Sequence, residues 1–146
     1  MADPNDIIDA CRQLRNDGSN ASQCNSFVIA VAARFGVPLS GTADQIIDHI
    51  TDGANWTQHG KDGKAASEAA ESGALVVGGM TSQDLADEHG HVVIVVKGKP
   101  DRDKYPPAYW GSLNARIRPD GALGKTINFS FSRERRDSVV YASRMV

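Results

Sequence analysis

Apolar positions in the first half of the chain recur at helical spacing. Ile7, Ile8, Ala10, Cys11 and Leu14 share a face between Asp3-Pro4, an N-cap with proline at the first helical position, and the breaker Asn16-Asp17-Gly18. This predicts a helix over 4–15. A second face, Phe27, Val28, Val31, Ala32 and Phe35, stops at Gly36 with Pro38 beyond, so a second helix starts at or just before Cys24. Thr42-Ala43-Asp44-Gln45 has the spacing of a capping box, Ile46, Ile47 and Ile50 supply the buried side of a third helix, and Gly53 ends it. Gly60 to Gly63 reads as a flexible stretch before the alanine-rich helical run Ala65 to Glu71.

After Gly73 the period changes. Ala74-Leu75-Val76-Val77 predicts a short buried strand, polar Thr81 to Glu88 a connection, and the β-branched run His91 to Val96 a central strand closed by Lys97-Gly98-Lys99-Pro100. Tyr109-Trp110-Gly111-Ser112-Leu113 fits a further short strand. Thr126 to Phe131 and Ser138 to Ser143 alternate and read as a last pair. Helices first and antiparallel strands afterwards predict an α+β fold, and no repeat or linker interrupts residues 1–146, which read as a single domain.

Composition narrows the function classes. Hydrophobic residues at 40% and charged residues at 23% are those of a globular protein with a real core, which sets aside disorder and fibrous repeats. The net charge is −2, and Arg133-Glu134-Arg135-Arg136 is too short a basic run for a phosphate footprint, so nucleic acid is not an expected partner. No apolar run is long enough for a membrane span. The acidic start Met1-Ala2-Asp3-Pro4-Asn5-Asp6 lacks the basic and apolar parts of a signal peptide, so the chain is expected to be made in the cytoplasm. Two cysteines do not make a disulfide framework; Cys11 falls on the apolar face of the first helix and is expected in the core.

Cys24 stands elsewhere, where the polar stretch Ser22-Gln23 turns into the amphipathic run Asn25-Ser26-Phe27-Val28. A thiol at a helix start meets unpaired backbone N–H groups and the positive dipole end, both of which favour thiolate. Buried cysteine is more often packing, yet the apolar face begins only at Phe27 and small polar residues precede Cys24, which suits an approaching substrate. Gly90-His91 then opens the valine-rich strand. A histidine at a strand start is often only a half-exposed polar residue, but the preceding glycine permits a close approach and the rigid strand holds the imidazole. Cys24 and His91 therefore read as nucleophile and base of acyl transfer, with the Cys24 backbone N–H as an oxyanion donor. For the group that orients the imidazole, the backbone carbonyl near Trp110 and the side chains of Ser112 and Asn114 stay open. Lys104 and Arg116 are candidate partners for substrate carboxylates. His89-Gly90-His91 places two imidazoles on one face, but no metal-ligand spacing accompanies them or His49 and His59, so neither a metal nor another cofactor is expected.

The order of a cysteine at a helix start, a buried strand, then Gly-His opening a valine-rich strand resembles the papain-like NlpC-type and CHAP cell-wall amidases. Cys24-Asn25-Ser26-Phe27-Val28, Ala32-Ala33-Arg34-Phe35-Gly36-Val37-Pro38, Gly90-His91-Val92-Val93, and Lys104-Tyr105-Pro106 with Trp110-Gly111-Ser112-Leu113 are similar, more narrowly, to the family-one amidase effectors of the type VI secretion system. The resemblance implies a papain-like fold with Cys24 as nucleophile and His91 as base. It implies a toxin, injected by a secretion apparatus into the periplasm of a rival bacterium, that hydrolyses the γ-D-glutamyl-meso-diaminopimelate bond of peptidoglycan stem peptides. It also implies a cognate immunity protein. The cysteine that the family pattern carries beside the tryptophan is absent, as is one near the C-terminus, a change that a backbone carbonyl in that role would survive. The rival readings are a crosslink-cleaving amidase or another cysteine acyl-transfer enzyme, a non-catalytic wall-binding module, and a metalloamidase.

Overall fold

The computed structural model describes residues 2–15, 24–111 and 125–146. Its frame is a six-stranded sheet in the order β1-β6-β2-β3-β4-β5, every neighbouring pair antiparallel. The strands are β1 (Thr57–Gly60), β2 (Leu75–Met80), β3 (His91–Val95), β4 (Pro107–Tyr109), β5 (Lys125–Thr126) and β6 (Val140–Arg144). Helices α1 (Pro4–Arg15), α2 (Cys24–Arg34) and α3 (Ala43–Thr51) precede the sheet; α4 (Gly63–Glu71) and a single turn, α5 (Ser82–Leu85), lie between strands. The fold is α+β, as the change of period predicts.

Two-residue alternation along the central strands divides the core. Val77, Val92, Ile94 and Val96 face one way and meet Ile7, Cys11 and Leu14 of α1, Phe27, Val28 and Val31 of α2 and the isoleucines of α3. Val76, Val93 and Val95 face the other way, against Ala66 and Ala70 of α4 with Tyr105, Ile127, Phe131 and Tyr141. A strand covered on both faces needs a continuous apolar run, which β3 has.

The caps lie where the sequence puts them. Asp3 Oδ1 accepts from the Asn5 N–H while Asp6 returns a carboxylate oxygen to the Asp3 N–H. Thr42 and Gln45 form the reciprocal capping box of α3, at 3.2 and 2.9 Å. Asp62 Oδ1 accepts from Ala65 N at 3.0 Å, so α4 starts at Gly63, inside the stretch read as flexible.

The expected last pair of strands does not form. β5 is two residues long and pairs with β4, the chain then closes into a 3-10 turn over Ile127–Phe129, and β6 inserts between β1 and β2. Alternation marks a strand but carries no information on its neighbour. β1 was not predicted, because Thr57–Gly60 is mostly exposed and offers no apolar period. The strand expected over 109–113 is instead Pro107–Tyr109, and residues 112 and 113 lie outside the described residues.

β2 outruns its predicted end through Gly78-Gly79, which occupy strand positions because side-chain space there is taken. A Cβ on Gly78 would lie 2.9 Å from the Tyr141 ring, and one on Gly79 would lie 2.7 Å from the His91 carbonyl oxygen. Gly79→Ala is therefore expected to destabilise the protein by about 1–3 kcal/mol. A urea midpoint equal to the parent's would contradict that crowding.

Candidate active site

Three elements meet where β3 begins. α2 brings Cys24, α3 brings Ala43 and Asp44, and β3 brings His91, with Gly90 just before it. The Cys24 Sγ lies 3.9 Å from the Gly90 carbonyl oxygen. Backbone N–H groups of Val92, Asn25 and Cys24 itself also reach the sulfur. The thiol thus touches the backbone on both sides of His91. β4 pairs with β3 only at Ile94 and Val95, so the edge of β3 beside His91 is left open to α2.

Gly90 is required by this convergence. A Cβ there would collide with Asp44 Oδ1 and lie 2.9 Å from the Met80 carbonyl oxygen and 3.3 Å from the Ala43 Cβ. The close neighbour that the sequence leaves unnamed is therefore the start of α3. Asp44 is itself fixed, accepting from Ser82 N at 2.7 Å and from Ser82 Oγ at 2.5 Å. Asn25 Nδ2 donates to the Gly41 carbonyl at 3.1 Å and so ties the start of α2 to the loop that leads into α3.

The electrostatics differ from the sequence expectation. Burial pushes the Cys24 thiol above its ordinary range, and the three N–H groups pull it down by less than burial raises it. Burial also drives His91 down to about 4. At neutral pH both groups are uncharged in the folded protein, where a helix start alone would favour thiolate.

His91 Nε2 is 2.5 Å from Ser130 Oγ, and its ring lies 5.1 Å from the Phe131 ring at a tilt of 59°. Ser130 was missed by the sequence reading, since a serine at the end of an alternating segment looks like ordinary turn chemistry. The Trp110 carbonyl accepts from the buried Arg15 Nε at 2.8 Å, and Arg12 Nε donates to the Tyr109 hydroxyl at 3.2 Å, so α1 is fastened to the end of β4. Ser112, Asn114 and Arg116 lie outside the described residues.

The other candidates are dispersed. Lys104 lines a cavity of about 310 Å³ with Lys61, Tyr105, Arg136 and Tyr141, a lining that includes neither Cys24 nor His91. His59 bonds Ser143 Oγ at 2.8 Å on the β1–β6 pair, and His89 is exposed. Among the described residues no three His, Cys, Asp or Glu side chains gather to hold a metal ion, and no helix is long and apolar enough to cross a membrane. Cys11 is free and fully buried in the helical face of the core.

Fold and site together define an α+β protein in which a free thiol is held against a histidine-bearing strand. No family model matches the chain. Over 141 residues it is 30% identical to the peptidoglycan amidase Tse1 of Pseudomonas aeruginosa, an alignment that takes in 92% of this chain and 86% of that protein. The chain belongs to the family of that amidase.

The neutral state of His91 has a pH signature. Unfolded, the imidazole takes a proton near 6.5; folded, only near 4. The unfolded state therefore binds more protons between these values, and stability present above pH 6.5 is lost as pH falls towards 4. His91→Gln is expected to flatten that part of the Tm-against-pH curve, and parallel curves would refute a buried neutral imidazole. The raised thiol makes a second prediction. Iodoacetamide at pH 7 should alkylate Cys24 more slowly than a free cysteine peptide, gain speed towards alkaline pH, and reach Cys11 only on unfolding. A rate above that of the free peptide would indicate a preformed thiolate.

Proposed function

We propose that this chain is a peptidoglycan amidase with a papain-like single domain over residues 1–146, in which Cys24 is the nucleophile and His91 the base. The observation that carries this reading is the contact of the Cys24 thiol with the backbone on both sides of His91, in a chain of the Tse1 amidase family. The bond hydrolysed is the γ-D-glutamyl-meso-diaminopimelate amide of the stem peptide. The chain acts as a toxin, delivered by type VI injection into the periplasm of a rival cell. A cognate immunity protein covers Cys24 in the producer.

The chemistry follows from the charges. Because the resting pair is neutral, the thiol proton passes to His91 as the sulfur bonds to the amide carbonyl carbon, with no preformed ion pair. Charge then develops on the carbonyl oxygen, which the backbone N–H groups of Cys24 and Asn25, on the sulfur in the free protein, serve once the sulfur has bonded to carbon. The tetrahedral intermediate collapses with cleavage of the C–N bond, the imidazolium proton goes to the leaving amine of diaminopimelate, and water hydrolyses the thioester. Burial that keeps His91 neutral in the free protein also makes its imidazolium a strong acid towards that amine.

Gram-negative peptidoglycan incubated with the parent and with Cys24→Ala, followed by mass assignment of the soluble fragments, tests the reading. Release of fragments cut between D-glutamate and meso-diaminopimelate by the parent, with at least a 10³-fold loss in the variant, is expected. Fragments cut only at crosslinks would move the specificity to the crosslink amide. Undiminished release by Cys24→Ala would remove the cysteine mechanism.

A further inference from the structure

The bond from His91 Nε2 to Ser130 Oγ meets a requirement of the pair. A neutral imidazole carries one N–H and one lone pair, and the nitrogen that receives the thiol proton must present the lone pair. A hydroxyl that accepts from Nε2–H puts the hydrogen on Nε2 and leaves Nδ1 bare. Ser130 Oγ, 2.5 Å from Nε2, is within reach to accept that hydrogen; a hydroxyl can equally donate to a bare Nε2, so the accepting direction is part of the proposal.

We propose that Ser130 is the positioning residue of the Cys24–His91 pair, holding the imidazole in its Nε2–H tautomer and fixing the ring plane. The proposal rests on the reading of Cys24 and His91 as nucleophile and base.

The surroundings of Ser130 show a built support. The 3-10 turn Ile127–Phe129 ends on it, with Ser130 N and Phe131 N both bonded to the Ile127 carbonyl at 2.9 Å. Ile127 and Phe131, on either side, are buried in the second face of the core, and Ile127 N is bonded to the Pro106 carbonyl at 3.0 Å. Asn128 adds a bond to Asp101 Oδ2 at 3.1 Å. Both neighbours of the loop are thus anchored, Ser130 is presented to the ring, and the Phe131 ring packs on the same imidazole. Phe129 is left outward, 67% exposed. Of the groups that the sequence offers for this role, the Trp110 carbonyl receives the Arg15 guanidinium, and Ser112 and Asn114 lie outside the described residues.

A hydroxyl is a neutral acceptor, so it orients the ring without stabilising imidazolium as a carboxylate would. Burial lowers the proton affinity of His91, and a neutral hydroxyl does not oppose it.

The test measures turnover on a soluble stem-peptide substrate by the parent, Cys24→Ala, Ser130→Ala and Ser130→Thr, with circular dichroism on each. It also reads the His91 tautomer from ¹⁵N shifts in the parent and Ser130→Ala. Ser130→Ala should lower kcat by about 10- to 100-fold with KM nearly unchanged, a part of what a general base contributes. Ser130→Thr, which keeps the hydroxyl, should recover most of it. The parent should show Nε2–H, and the alanine variant a mixture. Full turnover in Ser130→Ala alongside an inactive Cys24→Ala would overturn the role of Ser130 alone. Activity retained in Cys24→Ala would instead overturn the underlying mechanism. An Nδ1–H tautomer in the parent overturns the proposal even where the alanine variant fails to fold.

Discussion

The rest of the site depends on the missing side chain at Gly90. With no Cβ there, the start of α3 lies directly on the start of β3, and α2 can set Cys24 against the same stretch of backbone. Asp44, fastened to Ser82, and Asn25, fastened to Gly41, turn this close approach into a fixed geometry. Two helices and a strand far apart in sequence are held together through backbone atoms. The thiol is placed by main chain as much as by its own side chain.

The same crowding sets the electrostatics. A thiol and an imidazole removed from water both resist charge, so burial raises one and lowers the other. The three N–H groups around the sulfur are too few to reverse this in the free protein. They are better matched to a charge that appears only when a substrate carbonyl is attacked, which is how preorganised donors contribute most to a reaction. Under the proposed function, the resting site is quiet and the charge is created during the chemistry.

Ser130 meets His91 from the opposite face of the sheet. Ile127 and Phe131 belong to the second half of the core, which α4, Tyr105 and Tyr141 also fill, whereas Cys24 rides on a helix that packs against the first half. His91 stands at the strand between them. The proposed pair thus draws its candidate nucleophile and its proposed support from separate layers, and their relative position is set by the sheet.

Much of this was legible along the chain. Spacing of apolar residues located α1, α2 and α3, the caps Asp3 and Thr42 fixed two helix starts, and the density of β-branched residues marked β3 as central, because each of these depends on neighbours within a few residues. The need for a glycine before the histidine was also readable, and local chemistry singled out Cys24 and His91 as the candidate pair. Strand partners were not. β6 lies between β1 and β2, and β5 is cut short by a 3-10 turn, because pairing is decided by which surfaces remain uncovered once the helices have packed. For the same reason Ser130 was invisible: 39 residues separate it from His91, and only the folded sheet brings its hydroxyl to the ring. The sequence by itself determined the first three helices and the central strand and singled out Cys24 and His91 as candidates; the tertiary structure decided who touches whom, and through burial whether those side chains carry charge.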